Sequence, residues 1–450
     1  MRFPLSFARG AAFAALFVAF VAPASAALPI QKWQQANGAQ VYFIESPTLP
    51  MVDVEIDFDA GDRRDPAEKA GLASVTAEMA SKGIAAHGTE PALDENQLSD
   101  AWADLGAGFG ANAGNDRMSF TLRSLTYPDL LGKAVELAAR ELAEPSFPDT
   151  VWQRERQRMI AAIREADTRP GTVAGRAFGK AVYGTHPYGY DPTAETLTRI
   201  TVQDMRDFYR NIQACRAKVS IVGAVKREQA DQIASTLLAR LPDGSCQPLP
   251  PVAEVQPLTQ AVERDIPFAS AQAHVLIGQP GYKRDDPDYF PLLVGNYILG
   301  GGGFVSRLTE EVRQKRGLSY SVYSYFAPGL HAGAFTLGLE TRPDQVAEAI
   351  QVARDVVRRF VAEGPTAAEV KAAKEYMVGS FALRIDSNAK LLANLANIAW
   401  YGLPLDYLDT WIRHVKEVTA AQIKAAFARK LQPDRMVTVV VGAQTASKPQ

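Results

Sequence analysis

The chain has 450 residues, 47% of them hydrophobic and 22% charged, with a formal net charge of -2. That length can bury more than one core, and the composition is that of a globular protein. A charge balance so near zero, with no basic run interleaved with aromatics, argues against nucleic acid or an anionic lipid surface as partner.

At the start of the chain Arg2 and Arg9 flank or precede a short apolar stretch, Ala11 to Val21, and Ala24-Ser25-Ala26 follows as a small-residue cleavage site. This is the layout of a secretory signal peptide, so residues 1–26 are expected to be removed and the mature chain to begin at Ala27. About eleven apolar residues are too few to cross a bilayer and no later run of about twenty qualifies, so no membrane insertion is expected. The address implied is the periplasm of a bacterial cell.

Val52 to Phe58 alternates apolar and polar residues and predicts a half-buried strand, followed by a helix from about Ala67. Inside that helix runs Gly71-Leu72-Ala73-Ser74-Val75-Thr76-Ala77-Glu78-Met79-Ala80-Ser81-Lys82-Gly83. An inverzincin helix reads H-x-x-E-H: two His on one helical face hold zinc and a Glu between them activates water. The Gly-Leu-Ala before, the Met after and the Lys-Gly beyond resemble the pitrilysin and insulinase family of zinc peptidases. In that register Ser74, Ala77 and Glu78 stand where the two His and the Glu belong. The family's third ligand is a Glu on a later helix, seven residues beyond another Glu. The matching segment is Glu155 to Glu165, and Ala162 stands at the ligand position. The extra length between the two segments falls in the loop Ala86-His87-Gly88-Thr89-Glu90-Pro91.

A catalytic zinc needs about three His, Cys, Asp or Glu ligands, which this frame no longer supplies. The five histidines, His87, His186, His274, His331 and His414, are too scattered for any pair to fall one helical turn apart. No G-x-S-x-G elbow occurs, so a serine-hydrolase reading has no support. The expectation is no metal in this chain.

The two cysteines, Cys215 and Cys246, bracket a strand-like run and a helical pattern from about Arg227 to Leu241, and a bridge between them is one reading, two free thiols the other. Such a bridge closes a loop of about thirty residues, worth roughly 3 to 4 kcal/mol in the chain-entropy model. Beyond lies a proline-rich stretch with Pro248, Pro250, Pro251 and Pro257, read as a linker at 246–262 between domains at 27–245 and 263–450. The halves repeat each other at an offset of about 219 residues. His274 to Ile277 leads to a helix from about Asp288 as Val52 to Phe58 leads to the first helix. Thr201 with strand Val219 to Gly223 answers Thr419 with strand Val437 to Gly442, both threonines being candidate N-caps.

The second half carries Gly300, Gly301, Gly302 and Gly303, then Arg313-Gln314-Lys315-Arg316-Gly317-Leu318-Ser319-Tyr320. The glycines lack the G-K-[ST] ending of a phosphate loop and read as a tight passage between helices; the resemblance to the metal-free subunit of mitochondrial processing peptidases implies instead that they border a substrate chamber. In pitrilysin-type peptidases and the related mitochondrial processing peptidase, a similar R-x-K-x-G-L-x-Y run supplies an Arg and a Tyr that face the zinc of the opposite lobe. The resemblance assigns those roles to Arg313 and Tyr320, a guanidinium to grip a peptide carbonyl and a phenol to donate to the oxyanion.

The resemblance implies an α+β fold of two homologous lobes, each a mainly antiparallel sheet covered by helices, closing like a clam shell. It implies a non-catalytic subunit of an exported two-subunit zinc peptidase acting on peptides. The partner would be a homologous chain with an intact H-x-x-E-H helix and the zinc. A non-enzymatic scaffold of the same fold is the alternative.

Overall fold

The computed structural model describes residues 29–242 and 246–442; the expected signal peptide lies outside the described residues. The first half contributes strands β1 Gln31–Gln34, β2 Gln40–Glu45, β3 Met51–Phe58, a short hairpin of β4 Gly83–Ile84 and β5 Leu93–Asp94, β6 Gly108–Ala113, β7 Met118–Leu125 and β8 Lys218–Gly223. Its helices are α1 Leu72–Ala80, α2 Glu95–Leu105, α3 Pro128–Ala143, α4 Asp149–Ala166, α5 Pro170–Tyr183, α6 Ala194–Arg199, α7 Val202–Tyr209 and α8 Arg227–Leu238. The second half adds β9 Val262–Ile266, β10 Ala273–Tyr282, α9 Tyr289–Asn296, β11 Val322–Phe326, β12 Gly333–Thr341, α10 Val346–Glu363, α11 Ala367–Gly379, α12 Asn388–Tyr401, α13 Tyr407–Glu417, α14 Ala420–Lys430 and β13 Val437–Val441.

The duplication is visible strand by strand. One sheet has the order β1-β2-β8-β3-β7-β6 and the other β11-β12-β10-β13-β9, so reversing the second reproduces the first without β1. Directions agree too: β2 with β8 and β9 with β13 are the parallel pairs, and the remaining neighbours are antiparallel. Helix α5 begins at residue 170 and α12 at residue 388, an offset of 218. Thr201 and Thr419 both close capping boxes, with Asp204 and Gln422 returning a side-chain oxygen to the threonine N–H.

Each half lends a helix to the other. Ala174, Phe178 and Val182 of α5 pack on Val437, Val439 and Val441 of the second sheet. Leu391, Leu392, Leu395 and Ala399 of α12 pack on Tyr42, Ile44 and Val222 of the first. This exchange corrects the reading of β3 as half-buried. Its polar face, Asp53, Glu55 and Asp57, lies under α12, and Asp57 is fully buried. Burial outweighs the partners of Glu55 and Asp57, raising Glu55 and pushing Asp57 up to about 7, against the pull of Arg117. Asp57 accepts from Ser119 at 2.5 Å and Arg117 at 3.0 Å, and Asp53 from Arg123 at 2.6 Å. Lys218 donates to the C-terminal carbonyls of α12 at Ala399 and Trp400, and Arg117 to Ala396.

Two helix boundaries also differ from expectation. The first helix starts at Leu72 rather than about Ala67, because two short 3₁₀ turns and the left-handed Gly71 (φ 97°) precede it. Helix α8 ends at Leu238, short of Leu241. The proline-rich stretch from Cys246 to Ala261 has no helix or strand, but Val262 already belongs to β9. Cys215 and Cys246 are bonded, with Cα atoms 5.9 Å apart, tying the start of that stretch to the turn before β8.

Candidate functional site

Helix α1 begins on a carboxylate supplied from outside it. Asp65 accepts hydrogen bonds from the backbone N–H of Gly71 at 2.8 Å and Ala73 at 2.9 Å, satisfying donors that a helix start leaves free. Burial, reinforced by neighbouring Asp62, pushes the Asp65 carboxyl up to about 7. Burial likewise raises Asp62 to about 6, against a hydrogen bond from Ser74.

The four positions of the metal frame are now accounted for chemically. Ser74 spends its hydroxyl on Asp62 at 3.0 Å, Ala77 is buried, and Ala162 is exposed on α4 with no donor atom to offer. Glu78 is the one carboxylate left, and two cations hold it: Lys82 at 3.3 Å and Arg158 at 3.0 Å. Arg158 also reaches the buried Glu155 at 2.5 Å, and Arg154 joins Glu155 to Glu95 of α2. Burial opposes ionisation of Glu155, but hydrogen bonds from Arg154 and Arg158 outweigh it and hold the carboxyl below its usual range. Zinc therefore does not fit: the frame offers one carboxylate against the usual three ligands, and that carboxylate is already neutralised. Arg158 and Lys82 escaped the sequence reading, although each stands one helical turn from a frame position, four residues before Ala162 and four after Glu78.

One group of potential ligands does assemble among the described residues, His87, Glu90 and Glu144. The Arg240 guanidinium sits in it, 2.6 Å from Glu90 and 2.8 Å from Glu144, so the positive charge is already provided by the chain.

In the second half α9 runs on into a wide π-helical turn, Tyr297–Gly301, then a 3₁₀ turn, Gly303–Val305, and a second π-helical segment, Thr309–Gln314. The glycines have separate reasons to be there. A Cβ on Gly300 would clash with Ser324 Oγ and lie 2.6 Å from the Ser324 backbone nitrogen, on Gly301 2.8 Å from Asn296, and on Gly302 2.7 Å from the Tyr297 carbonyl. Gly303 has open space but a left-handed φ of 59°. Beside them is a cavity of about 590 Å³ lined by Gly300, Gly301, Gly303, Phe304, Arg313 and Tyr320. Gly302 is not in its wall, so three of the four glycines border it.

Arg313 and Tyr320 are brought together in the structure. Gly317 (φ 63°) ends the helix, its N–H bonding to the Arg313 carbonyl at 2.9 Å, and the chain turns back so that the Arg313 guanidinium lies 4.4 Å from the Tyr320 ring centre. The second face of this arrangement is Phe304, 4.7 Å away, a residue that sequence reasoning passed over although it directly follows the glycines. Tyr320 stands 78% exposed, two residues before β11, so its hydroxyl is available to a partner. Arg313 forms no ion pair among the described residues, whereas the acids beside it, Glu310 and Glu311, are engaged by Lys315 and Arg316. None of Ser74, Ala77, Glu78 and Ala162 lines this cavity; the two sites stay apart within the chain.

Known proteins resemble the chain over most of its length. Residues 40–194 match the family described as insulinase (peptidase family M16), and residues 199–377 the one described as peptidase M16 inactive domain. A crystal structure of a peptidase M16 inactive domain from Pseudomonas fluorescens is 35% identical, with a TM-score of 0.86, covering 93% of this chain and 100% of that one. The non-peptidase homolog YmxG of Helicobacter pylori is 24% identical over 415 residues, 90% of this chain and 91% of its own length. The fold is also that of the periplasmic protease PqqL of Escherichia coli, at 17% identity and a TM-score of 0.77, over 92% of this chain and 45% of that larger one.

Proposed function

The chain belongs to the insulinase-type M16 peptidase family, and from that premise we propose that it is the non-catalytic subunit of an exported two-subunit zinc peptidase. Its partner is a homologous chain with an intact H-x-x-E-H helix, which holds the zinc. This chain contributes Arg313 and Tyr320 to the shared chamber, the guanidinium gripping a peptide carbonyl and the phenol donating to the oxyanion formed when water attacks. The observation that carries this reading is the pairing of a ligand-less, cation-filled metal frame with an exposed Arg313–Tyr320 stack beside a glycine-bordered cavity. Gly300, Gly301 and Gly303 give the peptide backbone close access, with Gly302 keeping the turn tight. The leader at residues 1–26 and the periplasmic address of the PqqL neighbour support export.

The test is reconstitution. This chain, the candidate partner and their mixture are each assayed against unstructured peptides. Activity is expected in the mixture, zinc in the partner alone. A mixture no faster than the partner by itself defeats the proposal and favours a non-enzymatic scaffold, the reading that the name of the H. pylori relative also fits.

A further inference from the structure

Away from Arg313 and Tyr320, the second half encloses a cavity of about 330 Å³ where the loop after β10, the β11–β12 turn, the turn before α12, and helices α12 and α13 meet. Two guanidiniums line it, Arg284 and Arg384, and among the described residues neither pairs with a carboxylate. The acids around them are engaged elsewhere or face solvent. Asp286 goes to Lys430, Asp288 to Arg429, Asp386 to Lys390 and Asp116 to Arg63, while Asp285 is exposed. The cavity therefore carries uncompensated positive charge, in a protein where most buried or half-buried arginines have found an acid.

Both cations are held in place by aromatic rings. The Arg284 guanidinium lies 3.8 Å from the Tyr289 ring centre and donates to the Tyr407 hydroxyl at 2.7 Å; that of Arg384 lies 5.2 Å from Trp411. A guanidinium stacked on its face keeps its edge free for a planar anion, and its geometry is fixed before the anion arrives. Asn394 and Asn397, one turn apart on α12, add amides to the wall; Asn397 gives its oxygen to Arg117 at 3.1 Å, which leaves its Nδ2 as a further donor. The rest of the lining combines the apolar side chains of Phe381, Ile398 and Leu408 with the rings of Tyr289, Tyr401, Tyr407 and Trp411, which also bring polar groups.

We propose that this cavity binds a carboxylate carried on a small apolar or aromatic body, with Arg284 and Arg384 gripping the carboxylate and the aromatic wall receiving the body. A planar carboxylate matches stacked guanidinium edges and ring walls better than a tetrahedral, strongly hydrated phosphate does. The volume is that of a small ligand site and admits a group of amino-acid size. The carboxylate comes either from a peptide C-terminus or from a free small acid. The assignment does not rest on the roles given to Arg313 and Tyr320.

Calorimetric titration of the full chain tests it with four probes: N-acetylphenylalanine, acetyl-Gly-Gly-Phe, acetyl-Gly-Gly-phenylalaninamide and inorganic phosphate. The two free acids are expected to bind saturably, with the amide and phosphate about tenfold weaker or more, the loss expected for a charge-assisted contact. Arg384→Gln and Arg284→Lys are each expected to weaken the acids by about tenfold. Tighter binding of the tripeptide than of N-acetylphenylalanine identifies a C-terminus as the source, and equal binding identifies a free acid. Arg384 is exposed, so Arg384→Gln keeps the test valid should Arg284→Lys unfold, as its melting curve would show. Binding of amide as tight as acid, preferential binding of phosphate, no binding at all, or indifference to both arginine substitutions overturns the proposal.

Discussion

The two halves share a strand order and a helix plan, yet α1 and the corresponding helix α9 have gone separate ways. In the first half the helix ends in an ion-pair brace: Glu78, Lys82 and Arg158 tie α1 to α4, and Glu155 and Arg154 extend the tie to α2. In the second, α9 opens into π-helical and glycine turns and leaves an aromatic–cation stack in the open. A repeated backbone thus carries a closed, charge-satisfied surface in one copy and an exposed, hydrogen-bond-donating one in the other. A fold of this kind can lose its metal chemistry in one half without losing the geometry of the other.

The largest expected effect probes the open half. In the reconstituted enzyme Tyr320→Phe and Arg313→Ala should each lower kcat on the order of 100-fold with zinc content unchanged, the usual cost of losing one oxyanion donor. Unaltered kcat in both variants would remove the functional contrast between the halves. The closed half is probed by regrafting. Introducing Ser74→His, Ala77→Glu, Glu78→His and Ala162→Glu should give weak zinc uptake. Adding Arg158→Ala should tighten it by about tenfold or more, because a cation beside a cation site is repulsive. Equal affinities, measured by zinc titration, would mean that the frame is merely vacant rather than cation-filled. Chelators should leave the melting temperature of the unaltered chain unchanged.

Packing comes next. Gly300→Ala places a methyl 2.6 Å from a backbone nitrogen, and overpacking of this kind should cost about 1 to 3 kcal/mol in denaturant unfolding. Gly303→Ala, with open space but a left-handed φ, should cost less than Gly300→Ala; the reverse order would mean that conformation rather than contact selects these glycines.

The smallest effect concerns pH. Burial raises Glu141 of α3 to about 7 although Trp102 donates to it at 2.8 Å. The folded state therefore holds a proton that the unfolded chain releases near pH 4.5, so this group's contribution to stability falls as pH rises from about 4.5 to about 7 and is level above that. Glu141→Gln keeps an acceptor for Trp102 and removes the titration. Its melting temperature relative to the unaltered chain should be higher at about pH 7.5 than at about pH 5. A difference independent of pH would show that Glu141 is ionised throughout.

Much of this was legible in the residues themselves. The duplication showed in paired features such as Thr201 and Thr419, because capping and strand periodicity are local effects written within a few residues. The Arg313 and Tyr320 roles came from the motif's resemblance, while their juxtaposition is made by Gly317, whose left-handed conformation turns the chain back. Phe304 was missed because an aromatic after a glycine run has no local signature of stacking. The brace on Glu78 was missed because Arg158 is eighty residues away, although its one-turn spacing from Ala162 was available. β3 was misjudged because its alternation describes its own two faces and says nothing of a helix arriving from the other half.

By itself the sequence determined what each segment could do: which side chains could hold a metal and which no longer can, where helices start and stop, and that two similar units follow one another. Only the tertiary structure decided which charges meet. It placed α12 over Asp57, Arg158 against Glu78, and Arg284 and Arg384 around one cavity without an acid. Pairing and burial depend on distances between residues far apart in the chain, and those are set by packing rather than by local preference.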